Sequence, residues 1–592
     1  MFRRFEISVL VAALAVVSAT PAGALPKPKE RWIELRTANF TLYSDASPKL
    51  TRSVGLNLER LRRALTGISP DKEVRSPLPI RIYVFKNTRS YKRYVAENSS
   101  GGFAIGPIGN LIAIDADPDL DPYEIVYHEY IHYYLHNNSR SPLPTWFHEG
   151  MAEYYSTFTV SENEVTIGLP IPLHLAWLSV YELLPLDELF AITTNSPDYN
   201  EWDKRDPFYA ESWAVVHYLY SGDRAPQLTT FLKMLEEGRQ ADEAFQAAFD
   251  TTYEGLLDEI KAYIRRERYP FTRYTFTQLA IDEQVSIETL PRADLLCRLG
   301  DLLVAGGPGR SGDAEEHFRA TLDLEPEHAG ALAGLGYVRD LRGDREQAAK
   351  LYTAALERDP DNFATHLLLG NNLVKQHRQA YGRVHPGGPL SPLLVAARDH
   401  FRRTIELNPS LAPAYAGFGY TYVPDPGDVE PGIRALEKAL AMRPGWEDII
   451  INLFLLYLRV GDREAADGLD PTILQQSDDP EVHAFVQEAL LREVLSGVDA
   501  LFQEGRVHEA VALIARVRDE ATSPDLRAHL DRLSAQAVKA VRVQEARDLA
   551  CAGRFAEAEE LLTKLVSELD DPRLRQVVEQ ALVEIRTLGL EP

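Results

Sequence analysis

The sequence predicts two architectures in one chain: a mixed α+β domain over residues 27–280, then an all-helical repeat array over residues 290–592. Three observations carry this reading. Short β-branched and aromatic runs alternate with amphipathic helical patterns in the first half. Prolines that end helices recur at a near-constant interval in the second half. And 592 residues exceed what one hydrophobic core ordinarily organises.

Composition narrows the class. Apolar residues make up 45% and charged residues 26%, as in folded globular chains, which excludes a wholly disordered one. A formal net charge of −25 repels phosphate backbones, so no nucleic-acid partner is expected. Two cysteines, Cys297 and Cys551, exclude a disulfide framework and a cysteine-type zinc ribbon.

In chain order, residues 1–24 come first. Arg3 and Arg4 precede an apolar run from Ile7 to Val17, and Ala22-Gly23-Ala24 closes the segment. A charged start, a short apolar stretch and an A-x-A site predict a cleavable export signal. The apolar run is too short to span a bilayer, and no later stretch reaches spanning length. No cysteine follows it to carry a lipid. The expected mature chain begins near Leu25 and works in the periplasm or outside the cell.

Trp32–Leu35 and Asn39–Tyr43 predict strands. Leu50, Val54, Leu58, Leu61 and Leu65 at helical spacing predict a helix over Ser47–Leu65. Ile80–Phe85 predicts a strand by its β-branched and aromatic content. Phe103–Ile105 and Leu111–Ile114 flank a turn at residues 106–110, so they predict a hairpin. Asp121-Pro122-Tyr123-Glu124 then opens a helix with an N-cap, a proline at its first position and an acidic first turn. A second helix starts after Pro142 and Pro144, with Thr145 as the expected cap.

Beyond residue 290, Glu325-Pro326, Asp359-Pro360, Asn408-Pro409 and Arg443-Pro444 each close an amphipathic helix. The interval is 34 or 35 residues, except for one of 49 that carries an insertion around Arg378–Pro392. Leu335-Gly336, Leu369-Gly370 and Phe418-Gly419 place small residues where paired helices cross. Gly343-Asp344 and Gly461-Asp462 are matching turns into second helices. Looser copies stand at Phe502–Ala510 and Ala550–Ala558. This pattern resembles the tetratricopeptide (TPR) repeat, which implies a solenoid with a groove for a protein partner. Gly306-Gly307-Pro308-Gly309 lacks the Lys-Ser/Thr of a phosphate loop and reads as a connection between repeat helices.

The chemistry concentrates between residues 120 and 220. His128-Glu129-Tyr130-Ile131-His132 is an H-E-x-x-H run. On a helix the two imidazoles share one face, as two ligands of one zinc ion must, with Glu129 beside them. The same run also fits two buried histidines on a structural helix. A second cluster, Trp146-Phe147-His148-Glu149-Gly150-Met151-Ala152-Glu153-Tyr154, follows. Glu149 and Glu153 lie one turn apart and repel unless something positive sits between them. His136 continues the row but has turned too far to reach the same ion, and reads as partly exposed or supporting.

Together these motifs resemble the gluzincin metallopeptidases, and more closely the bacterial peptidase MA-like family, with H-E-x-x-H followed by W-x-x-E-G-x-A-E-Y. The likeness spans about residues 31–270 and implies a zincin-like α+β domain that hydrolyses peptide bonds. By resemblance His128, His132 and Glu149 bind Zn2+, Glu129 is the general base and Glu153 orients a ligand imidazole. The clan also implies an oxyanion donor about sixty residues past the ligand Glu. Tyr209 stands there, with His217 as the alternative; an ordinary core stripe of Tyr209, Trp213 and Val216 fits as well. The hairpin before the zinc helix would pair with the substrate backbone, or be purely structural. His148 departs from the clan, which has Asn or Ser there, and leaves its place open. Gly101–Gly106 has no acid to grip a free amine, which leans the expectation towards an endopeptidase. The rival expectation is an inert or zinc-stabilised scaffold that binds partners through its repeats.

Charge is uneven. Residues 27–100 carry 16 basic and 7 acidic side chains; residues 101–200 carry 14 acids and one base, Arg140. The segment expected to hold the cation is thus strongly acidic, which implies a preference for basic peptides.

Overall fold

The computed structural model describes residues 25–588 apart from 69–77, 79, 96–100, 107–108, 140–142, 201, 223, 237–238, 278, 383–389, 470–493, 496, 499, 502–503, 505, 521–523 and 570–571. The expected signal segment lies outside these residues, as do Pro107 and Ile108 of the hairpin turn, Pro142, much of the insertion and part of the loose repeat at 502–510.

The chain divides into two compact units, Met1–Gly445 and Trp446–Pro592. The first opens with strands β1 (Ile33–Arg36) and β2 (Thr41–Ser44), helix α1 (Pro48–Ile68), strand β3 (Ile80–Phe85) and a short helix α2 (Thr88–Tyr91). The hairpin β4 (Gly101–Gly106) and β5 (Gly109–Asp115) leads into α3 (Pro122–Asn138) and α4 (Thr145–Ser156). Asp121 caps α3, its carboxylate accepting from the amides of Tyr123 and Glu124, as the sequence predicts. Thr145 does not cap α4. It is already helical, and Pro144 precedes it without a side-chain bond.

The strands β6 (Thr159–Ser161) and β7 (Glu164–Ile167) come next. After them run α5 (Pro172–Val180), α6 (Leu186–Ala191), α7 (Pro197–Asn200), α8 (Trp202–Ser221), α9 (Ala225–Glu236), α10 (Ala241–Ala248) and α11 (Tyr253–Ile264). Strands β8 (Thr272–Thr275) and β9 (Ser286–Thr289) end this part. The main sheet has the order β4-β5-β3-β2-β1-β9; β2, β3 and β5 are parallel, and β4 is an edge paired antiparallel with β5.

Period-two alternation places both faces of this sheet in apolar surroundings. Ile82, Val84, Ile112 and Ile114 face Val54, Leu58 and Leu61 of α1 and Val126 and Tyr130 of α3. Tyr83, Phe85 and Leu111 share the opposite core with Leu295, Leu299 and Phe318 of the first repeat helices. These belong to α12 (Arg292–Ala305) and α13 (Ser311–Leu324), joined by a turn at Pro308–Arg310. Polar ties reinforce the seam: the Tyr83 hydroxyl donates to the Arg298 carbonyl at 2.8 Å, and Arg81 pairs with Asp301 at 3.2 Å. The change of grammar near residues 280–290 therefore marks a change of element type and not of packing. The first repeat hairpin is a layer of the sheet domain, and β9 pairs with β1.

The repeats continue as α14 (Ala329–Leu341) with α15 (Arg345–Arg358), α16 (Phe363–Tyr381) with α17 (Pro392–Leu407), and α18 (Ala412–Tyr420) with α19 (Glu430–Met442). Each predicted proline falls two residues past the end of a second helix. The crossings are as close as the small residues imply: a β-carbon on Gly336 would stand 2.9 Å from Tyr352, and one on Gly370 2.8 Å from Phe401. These hairpins are TPR-type. The second unit holds helices Glu447–Val460, Arg463–Asp467, Val507–Glu520, Pro524–Cys551, Phe555–Ser567 and Pro572–Leu588.

Candidate metal centre

The centre forms where α3 and α4 meet. Gly150 lets α4 approach α8, because a β-carbon there would collide with the Ser212 carbonyl and Val216. The Tyr154 hydroxyl fastens the other side of α4 to Ser221 on α8 and Thr272 on β8, at 3.0 Å each. Glu149 and Glu153 are thereby held facing α3.

His128, His132 and Glu149 offer donor atoms that all lie within 4.8 Å of one another, the one such group of three found among the described residues. Nε2 of His132 lies 3.0 Å from Nε2 of His128. Glu149 Oε2 lies 3.4 Å from His128 Nε2 and 3.3 Å from His132 Nε2. It is buried, and neither approach has hydrogen-bond geometry. The other oxygen, Oε1, accepts from the Tyr199 hydroxyl at 2.9 Å. A buried carboxylate oxygen aimed at two imidazole nitrogens fits a shared divalent cation, and two nitrogens with one oxygen suit zinc.

Glu153 does not join this group. Its Oε1 lies 3.3 Å from His128 Nδ1, the nitrogen turned away from the other donors. Its Oε2 lies 3.0 Å from His174 Nε2. The repulsion expected between Glu149 and Glu153 is answered by imidazoles on both sides.

Electrostatics follow from this crowding. Burial alone would raise the carboxyls of Glu149 and Glu153. The neighbouring imidazoles, His132 and His128 for Glu149 and His128 and His174 for Glu153, outweigh it and hold both well below the usual range. Burial opposes the charge on His128, yet Glu153 and Glu149 raise it well above its ordinary value. Glu129 is buried and shifted upward, chiefly by loss of solvent, with His128 and His132 opposing. It stands beside β4, where Gly101 leaves room for its carboxylate.

Tyr209 reaches the site and His217 does not. The Tyr209 ring lies 6.2 Å from the rings of both His128 and Tyr199, and burial and Glu149 keep its hydroxyl protonated. His217 is fully buried elsewhere: its Nε2 donates to the Gly168 carbonyl at 2.9 Å, and its Nδ1 accepts from the Tyr263 hydroxyl at 2.7 Å. Both nitrogens are spent on structure, so the alternative oxyanion donor is corrected to a core residue. His148 is a wall. Its ring stacks on His132 at 6.0 Å, and burial with the His132 charge lowers it to about 3. His136 accepts from Arg443, just past α19, at 3.2 Å. Sequence reasoning missed Tyr199 and His174. Neither has a spacing that links it to the motifs, and only the fold brings them in.

No family model matches the chain. A stretch of 282 residues is 26% identical to cellulose synthase operon protein C of Xanthomonas axonopodis pv. citri (strain 306), covering 47% of this chain. The match spans 15% of that relative's length. Among solved structures, a thermophilic TPR protein of Thermus thermophilus is 24% identical, covering 34% of this chain and 99% of that one with a TM-score of 0.25. YrrB, described as a TPR protein with an unusual peptide-binding site, is 20% identical over 33% of this chain and 92% of that one, with a TM-score of 0.26. The repeats rest on their own helix geometry. No described helix is long and apolar enough to cross a membrane.

Proposed function

We propose that the chain is an exported zinc-dependent peptidase of the gluzincin type, with a zincin-like domain over residues 27–280 and TPR units that recruit a substrate or partner. The observation that carries this reading is the buried Glu149 Oε2, which makes no hydrogen bond and faces Nε2 of both His128 and His132. Those three side chains would hold the metal. A zinc ion there supplies Lewis-acid polarisation of the scissile carbonyl and lowers the pKa of water.

The chain's own groups do the rest. Glu129, its carboxyl raised by burial, takes a proton from the attacking water and delivers it to the leaving amine. The Tyr209 hydroxyl, kept protonated on a ring 6.2 Å from that of His128, donates to the developing oxyanion. Glu153 accepts from His128 Nδ1 and so leaves Nε2 free for metal. Strand β4 has a second edge, beside α3, that can pair with an extended peptide. Because Gly101–Gly106 carries no acid for a free amine, cleavage inside the chain is favoured over cleavage at its end.

The repeats favour a second reading, a scaffold in which the zinc site stabilises a partner-binding array. Asp340 of α14 is buried and accepts from Asn372 at 2.9 Å and Lys375 at 2.7 Å, both on α16, so a buried polar contact ties adjacent repeats into one array. Metal analysis with cleavage assays on unfolded casein and a peptide library separates the two. Stoichiometric zinc with chelator-sensitive turnover supports the peptidase; zinc without turnover, and cellular termini unchanged by Glu129→Gln, supports the scaffold.

A further inference from the structure

We infer that His174, on α5, is a positioning residue of the metal centre that acts through Glu153 on His128. The inference rests on the zinc-site reading above and adds a residue that no motif contains.

Three features place it. Pro172 starts α5, and in its first turn His174 points inward and is buried, while Leu173 beside it is 63% exposed. His174 Nε2 lies 3.0 Å from Glu153 Oε2. Its ring rests on Trp213 of α8, with centroids 5.9 Å apart. Glu153 therefore spans two imidazoles, one oxygen towards His128 Nδ1 and the other towards His174 Nε2.

A carboxylate held at one oxygen can swing about its side-chain torsions; held at both, it keeps one orientation. That orientation decides which nitrogen of His128 carries hydrogen. With Glu153 fixed, Nδ1 is the donor and the lone pair stays on Nε2, the atom that faces Glu149 and His132. Without His174, Glu153 Oε2 would lose the imidazole that stands 3.0 Å from it, and Glu153 would be free to turn from His128. The chain from α5 through Glu153 to α3 also joins a helix outside the two motif helices to the metal ligand.

The test compares His174→Phe, which fills the space against Trp213 but donates nothing, with His174→Gln, which keeps an N–H donor. Zinc dissociation constants are measured on the full chain by competition with a chromophoric chelator, beside thermal midpoints of the metal-free chains. His174→Phe should weaken zinc by about 10- to 100-fold, as other losses of a ligand's supporting partner do, and His174→Gln should recover most of it. In a Glu153→Gln background, His174→Phe should have little further effect, because the two act in series. The inference is overturned if His174→Phe binds zinc as tightly as the parent, if both variants weaken zinc equally, or if the losses at 153 and 174 add. A parent chain that takes up no zinc overturns the metal-centre reading itself, and this inference with it.

Discussion

Gly101 of β4 stands against Glu129 of α3: a β-carbon on Gly101 would lie 2.7 Å from Glu129 Oε1 and 3.0 Å from its Cγ. The same β-carbon would also lie 2.6 Å from Ile125. Gly101→Ala should therefore turn the carboxylate away from the centre without touching a ligand. The expected outcome is unchanged zinc content with kcat/KM reduced about 100-fold, the scale on which small displacements of a reacting group are felt. Full activity in this variant would remove Glu129 from the proton path or show that its side chain has other room.

Glu129→Gln removes the base and leaves the three donors near α4 intact. Zinc should remain, while peptide cleavage falls by about 10²- to 10⁴-fold. Metal content and turnover measured on one preparation check both halves of the expectation.

Glu149→Ala should abolish tight zinc binding, since it removes the donor that faces both imidazoles. Tyr199→Phe is milder. It takes the hydroxyl from Glu149 Oε1 and should weaken zinc by about 10-fold. Chelator competition ranks the two.

Tyr209 and His217 should separate cleanly. Tyr209→Phe is expected to lower kcat by about 100-fold with little change in KM or zinc. His217→Ala opens the contact with Tyr263 and Gly168 and should cost about 2 kcal/mol of stability, seen in thermal melts. A kinetic defect in His217→Ala with an unchanged melting point would contradict its assignment to the core.

His317 of α13 gives the first unit a pH dependence. It is fully buried against Tyr94, its Nδ1 donating to the Asp313 carbonyl, and burial lowers it from 6.5 to about 4 despite that bond. Between those values the unfolded chain binds a proton that the folded chain does not. Stability should thus be complete above pH 6.5 and fall as pH drops towards 4, by about 1.4 kcal/mol per pH unit from this group. His317→Asn should flatten that part of the profile in urea titrations at several pH values.

Local pattern decided much of this in advance. The strand Ile80–Phe85 and the Asp121-capped helix are where their residues imply, and the repeat helices end where Glu325, Asp359, Asn408 and Arg443 stand. The grouping of His128, His132 and Glu149 was also legible, because helical spacing puts His128 and His132 on one face and a second motif brings a carboxylate. Thr145 misled, since a good capping residue is helical here while a proline fills the cap position.

What the sequence by itself determined is the shared face of His128 and His132 and the repeat period, written in spacings of four and about 34 residues. What only the tertiary structure decided is which distant side chains complete the centre. Tyr199 and His174 enter, Tyr209 stands beside His128 and His217 turns into the core, although all four come from the same stretch after α4. The division between sheet and repeats was likewise settled by packing, where Tyr83 and Phe85 share a core with α12 and α13. The reason is physical: spacing along one helix fixes a face through local backbone geometry, whereas partners from other helices depend on how close-packed surfaces such as Gly150 against α8 allow them to meet.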